Sequence, residues 1–234
     1  MNTNLPYEEE YAIANLSPYS FYHAWYFPRN IEKYLKRDIL FENDKKAINE
    51  WKKIYIDFLK KITYKNNGKQ VILKSLVNTA KIKFLLEMFP NAKFIHIYRN
   101  PYKVYMSTWR LYKSILSLFS FQHIDKKEFD KSILNVYKKI YKKFISEKNL
   151  IQKENLIEIK YEDFINEPLR VLDNIYNKFN LDDFNKTKPK FKKFIDKHKN
   201  YKKNNYRLDN KIKNKVYNDW NFAFKEFNYL KWFF

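Results

Sequence analysis

Residues 69–112, KQVILKSLVNTAKIKFLLEMFPNAKFIHIYRNPYKVYMSTWRLY, constrain the fold more than any other part of the chain. Their pattern predicts a strand over 70–73, a helix over 79–89, a second strand over 93–98 and a second helix over 102–120. Phe94-Ile95-His96-Ile97-Tyr98 is a mostly apolar run with aromatic and β-branched residues, the composition of a buried parallel strand. Asn100-Pro101 stops that strand. Proline suits the first position of the next helix, because its ring fixes φ and its missing N–H has no helical partner there. Arg99 thus leaves the carboxyl end of a strand, where open α/β sheets bind ligands. Its planar fork can hold a phosphate bidentately through charge-assisted hydrogen bonds. Ser107, about two turns into the following helix, can offer a hydroxyl to the same anion.

The rest of the chain repeats the alternation. Leu156-Ile157-Glu158-Ile159-Lys160 reads as a third strand and leads through Tyr161-Glu162-Asp163-Phe164 into a helix over 168–179. Pro6 and Glu8-Glu9-Glu10 open a short amino-terminal helix, with the acids where the helix dipole favours them. Ala47, Trp51, Tyr55 and Phe58 recur at helical spacing over 44–64, and Phe129, Ile133, Tyr137, Ile140 and Phe144 do so over 128–148. The Lys/Asn-rich stretch 187–205 reads as a loop, and a last helix starts near Asp209. Strands alternating with helices predict an α/β fold built on a parallel sheet. We read residues 1–234 as one domain: a helical region over 1–65, a sheet core over 66–180, and a loop and helix over 181–234.

The net charge of +21 invites a nucleic-acid reading. Of the 47 basic residues, however, 41 are Lys and six are Arg, amid abundant Asn, Ile, Tyr and Phe. That pattern matches the codon bias of an AT-rich genome, and Arg, the better fork for bases and phosphates, is scarce. Nucleic acid is not the expected partner, although the basic field would attract an anionic nucleotide or a polyanionic acceptor. The chain has no Cys, and His23, His96, His123 and His198 lack ligand spacing, so no metal is expected. No apolar run approaches the ~18 residues of a membrane span. The start lacks a basic stretch followed by an apolar one, so we expect no signal peptide and a cytoplasmic location.

The strand, the R-N-P-Y turn, the Ser eight residues after the Arg and the L-K-S-x-x-N-T-A-K-I helix start together resemble the PAPS-dependent sulfotransferase family, in its bacterial carbohydrate and tyrosyl-type branch. The resemblance spans essentially all of 5–230. It implies a three-layer, P-loop-like parallel sheet flanked by helices, and transfer of a sulfuryl group from PAPS to an acceptor hydroxyl or amine. A carbohydrate or lipid-linked glycan would be such an acceptor. It also implies that Arg99 and Ser107 bind the 3′-phosphate, that Tyr161 lies by the adenine, and that a Y-K-x-N-type loop with Lys203 and Asn204 closes over the nucleotide. Lys74 would stabilise charge on the leaving phosphate, and Glu10, in the acidic segment, would be the candidate general base. The family's glycine-rich loop, whose backbone N–H groups cradle the phosphosulfate, has no counterpart here. The only glycine, Gly68, precedes a different strand, so the fold is expected to be amino-terminally truncated. Two other readings share the same residues: a non-catalytic remnant binding nucleotides or polyanions, and a basic nucleic-acid-binding protein.

Overall fold

A computed structural model describes residues 7–42, 44–200 and 208–231. The chain divides into two compact units, Met1–Pro90 with Thr108–Leu150, and Asn91–Ser107 with Ile151–Phe234.

The first unit is helical. It contains α1 (Glu9–Leu16), α2 (His23–Tyr26), α3 (Ile31–Tyr34), α4 (Lys45–Lys65) and α5 (Ile82–Met88). After the strand at Phe94–Tyr98, in the second unit, come α6 (Pro101–Phe119), which ends in the first unit, and α7 (Lys126–Glu147). Capping starts the two long helices. The Asp44 carboxylate accepts from the Ala47 N–H at 2.8 Å. Asp125 accepts from the Lys127 and Glu128 N–H groups at 2.6 and 3.0 Å, bonds that hold its carboxyl below the usual range. Inward faces follow the helical period: α4 buries Ala47, Trp51 and Tyr55, and α7 buries Phe129, Ile133, Tyr137, Ile140 and Phe144.

Two expectations change in this unit. Residues 70–73 form no helix and join no ladder among the described residues, and Ile72 is 88% exposed. A strand is defined by its neighbour, and sequence pattern alone cannot supply one. The predicted helix over 79–89 is a 3-10 turn, Leu76–Ala80, followed by α5, which stops before Pro90 as the proline requires.

The second unit holds the sheet. Strand β1 (Phe94–Tyr98) pairs in parallel with β2 (Leu156–Lys160), Phe94 opposite Leu156 and Tyr98 opposite Lys160. Among the described residues four helices follow β2: α8 (Tyr161–Asn166), α9 (Pro168–Lys178), α10 (Phe184–Lys197) and α11 (Asn210–Glu226). Side chains alternate between the two faces of the ladder. Ile157 and Ile159 face a cluster of Val171, Ile175 and Phe179 on and just after α9. Tyr98 and His96 meet Phe227 beyond α11, with Tyr98 stacked on it at 4.7 Å. The parallel pairing confirms the mixed α/β character, with two strands among the described residues where three were expected.

The loop expected over 187–205 is helical as far as Lys197, with Pro189 inside the helix. Phe184 and Phe191 pack on Tyr176 of α9 at 5.2 and 6.2 Å. That aromatic contact outweighs a composition rich in Lys and Asn and the loss of one helical N–H at the proline.

A buried ion pair anchors the first unit. Lys81 and Glu10 are both 0% exposed, with Nζ and Oε2 at 3.8 Å. The ammonium also lies 4.5 Å from the Trp51 ring. Burial pushes the Lys81 pKa down, and the Glu10 charge opposes that shift. Removing one member of such a pair strands the other, at a cost of roughly 3–5 kcal/mol. Lys81→Met should therefore lower the urea midpoint sharply, and Lys81→Met with Glu10→Gln should recover much of the loss. Equal destabilisation by the single and double variants would show that the pair is not coupled.

Candidate functional site

The parallel register determines what stands at the carboxyl ends of the strands. Because Tyr98 pairs with Lys160, the next residues, Arg99 and Tyr161, emerge side by side. The Arg99 guanidinium lies over the Tyr161 ring, 4.3 Å from its centroid. Its Nε is buried and has no hydrogen-bond partner among the described residues. A half-buried guanidinium with an unused donor, held flat by an aromatic ring, is a ready receptor for an anion.

The turn beneath it is fixed from several sides. Asn100 is buried and caps α6, its Oδ1 accepting from the Tyr102 N–H at 3.0 Å and the Lys103 N–H at 3.3 Å. The Asn100 N–H donates to one oxygen of Glu162 at 3.3 Å, and the Tyr229 hydroxyl donates to the other at 2.6 Å. Burial, then the bond to Glu162, pushes the Tyr229 phenol far above its usual range, so it remains a donor. The Tyr102 hydroxyl donates to the Lys231 carbonyl at 2.6 Å. Glu162 thus links the turn after β1, the turn after β2 and the carboxyl-terminal segment. Ser107 lies on α6 in the same unit, half-buried. Lys203 and Asn204 lie outside the described residues.

In the first unit three consecutive acids have three different surroundings. Glu8, at the start of α1, accepts hydrogen bonds from Lys74 Nζ and from the Tyr22 hydroxyl. The Glu8 side chain is 20% exposed and that of Lys74 is 79% exposed. Burial, then the bond to Glu8, holds the Tyr22 phenol protonated far above its usual range. Glu9 accepts from the Tyr55 hydroxyl at 3.2 Å and from the Asn78 side-chain amide. Glu10 accepts from the Ser20 hydroxyl at 2.6 Å and the Phe21 N–H at 3.3 Å, with Lys81 on its other oxygen.

Of the residues singled out in the sequence, Arg99 and Tyr161 are brought into contact, and Lys74 is joined to an acid of the amino-terminal segment. That acid is Glu8. Glu10 is enclosed in the core of its unit, where an acceptor hydroxyl cannot reach its carboxylate without unpacking Ser20 and Lys81. The pairing of Glu8 with Lys74 joins positions 66 residues apart, and no local pattern announces it. Among the described residues no group of three or more His, Asp or Glu could hold a metal ion, and no helix is long and apolar enough to cross a membrane.

Comparison with known proteins gives this arrangement its context. No solved structure matches the chain. Two curated relatives do, the omega-hydroxy-beta-dihydromenaquinone-9 sulfotransferases Stf3 of Mycobacterium bovis and Mycobacterium tuberculosis. Each is 31% identical over 203 residues, 87% of this chain and 52% of the relative. The chain therefore spans about half the length of these curated relatives. The family model described as "Sulfotransferase family" matches residues 11–186, a stretch that includes Lys74, Arg99, Ser107 and Tyr161. The chain belongs to the sulfotransferase family.

Proposed function

We propose that this chain carries the nucleotide and acceptor sites of a PAPS-dependent sulfotransferase with a three-layer, P-loop-like α/β fold. The observation that carries the reading is the Arg99 guanidinium, stacked on Tyr161 at the strand ends with its Nε unsatisfied. A nucleotide phosphate would complete that donor set, and a purine would find an aromatic neighbour in Tyr161. Ser107, with Lys203 and Asn204, would add contacts to the 3′-phosphate. PAPS supplies the sulfuryl group: the acceptor oxygen bonds to sulfur, the bond from sulfur to the 5′-phosphate oxygen breaks, and PAP leaves. Lys74 would stabilise the negative charge appearing on that phosphate. Glu8, bonded to Lys74 and partly open to solvent, is better suited than Glu10 to take the acceptor proton. The two curated relatives are named for an omega-hydroxylated menaquinone derivative. We accordingly favour a hydroxyl on an apolar carrier as the acceptor class.

The residues at hand fit the 3′-phosphate better than the phosphosulfate. The one glycine, Gly68, sits in the turn after α4 with φ of 73°, and no glycine-rich loop stands among the 234 residues. Binding of PAP without turnover is therefore the expected behaviour of this polypeptide by itself.

Calorimetry should show PAP binding that weakens several-fold to about a hundredfold in Arg99→Ala, since one charge-assisted phosphate contact is worth roughly 1.5–3 kcal/mol. Equal affinity in both proteins would remove the basis of the site. Residues 1–234 alone should transfer no label from radiolabelled PAPS to sugar, phenol or hydroxylated lipid, because losing even one preorganised donor costs about 10²–10³ in rate. A form extended by a glycine-rich strand and loop should gain activity. In that form Lys74→Ala and Glu8→Gln should each lower kcat by about a hundredfold or more while changing PAP affinity little. Unchanged kcat in Glu8→Gln would assign the proton to another group.

A further inference from the structure

The first unit displays an ordered apolar surface that the sulfotransferase chemistry does not use. Phe121 is 78% exposed, Leu118 77%, Phe119 39%, Phe27 38% and Tyr26 36%. The four aromatic side chains are clustered, and Leu118 precedes Phe119 on the last turn of α6. Tyr26 stacks on Phe121 at 5.9 Å and meets Phe119 edge-on at 6.3 Å, and Phe27 lies 5.9 Å from Phe121. The backbone holds them in place. The Phe121 N–H donates to the Tyr26 carbonyl at 2.9 Å, and Arg29 Nε donates to the His123 carbonyl at 2.7 Å. An aromatic cluster tied down on both of its segments yet left facing water is a contact surface, because loose apolar side chains would fold back onto the protein.

We propose that this face docks the protein on an anionic lipid bilayer. Leu118 and Phe121 would enter the acyl boundary, and Tyr26 would sit at headgroup level, where an amphipathic ring is at home. Charge selects the partner. The chain carries a net +21, and Arg29, Lys126 and Lys127 are exposed within eight residues of Phe121 or three of Tyr26 in sequence. Asp125 and Glu128 are the neighbouring acids; Asp125 caps α7 as a carboxylate and keeps its charge, so the three basic residues outnumber the acids by one. An anionic surface draws such a protein in, and the aromatic cluster then fixes how it lies. With no spanning helix among the described residues, contact through this face is interfacial. The inference stands apart from the catalytic reading, which it would serve by bringing the enzyme to an acceptor carried in a membrane.

The test is co-sedimentation of the purified chain with vesicles of phosphatidylcholine containing about a third phosphatidylglycerol, and with pure phosphatidylcholine. Wild type should partition onto the anionic vesicles. Leu118→Ser with Phe121→Ser, a charge-neutral change at exposed positions, should reduce partitioning about tenfold or more. Thermal unfolding and PAP affinity of the double variant should stay unchanged, which separates this proposal from the nucleotide site. Equal partitioning of wild type and variant would mean that charge alone drives the contact, and would overturn the proposal. So would failure of wild type to bind. A wild-type dimer in sedimentation velocity that the variant abolishes would overturn it as well, by identifying a second copy as the occupant.

Discussion

The pairing of β1 with β2 is the constraint on which the second unit depends. Five residue pairs in register fix which side chains face α9 and which face the segment after α11. The same register decides that Arg99 and Tyr161 leave the sheet together. A slip of one residue would reverse every side chain on the slipped strand. It would also separate the guanidinium from the ring, so the candidate nucleotide site is a product of the ladder before it is a product of any single residue. Glu162 reinforces the arrangement by accepting bonds from the turn after β1 and from Tyr229.

The amino-terminal acids show how position at a helix start separates tasks. Three identical side chains diverge because Glu8 is the extended residue that precedes α1, whereas Glu9 and Glu10 are its first two helical positions and point about 100° apart. Glu10 meets Ser20 and Lys81 in the core, Glu9 meets Tyr55 and Asn78, and Glu8 stays at the margin with Tyr22 and Lys74. The inner two hold α1 against α4 and the 3-10 turn, which leaves Glu8 positioned by its neighbours. A chemical role for Glu8 would thus rest on structural work done by the next two residues.

Much of this was legible in the sequence, for identifiable reasons. Long helices such as α4 and α7 declared themselves because their apolar spacing persists over several turns. The strand, the Arg-Asn-Pro turn and the helix after it were legible because each residue there has a narrow conformational range. The family follows from the same stretch. Less legible was whatever depends on distant partners. Residues 70–73 have the composition of a strand and no ladder to join among the described residues. The helix over Phe184–Lys197 relies on Tyr176 of α9, which composition does not reveal. Choosing among three adjacent glutamates required knowing that Lys74 comes to Glu8 and Lys81 to Glu10.

The irregular apolar run at Val71-Ile72-Leu73 has a consequence for the behaviour of the chain in solution. An apolar stretch that joins no ladder among the described residues is a template for cross-β pairing between molecules. Lys69 and Lys74 bracket it, and charges in those positions act as gatekeepers that oppose stacking of like segments. Neutralising those two ends, by substitution or by high salt, would expose the edge that they guard.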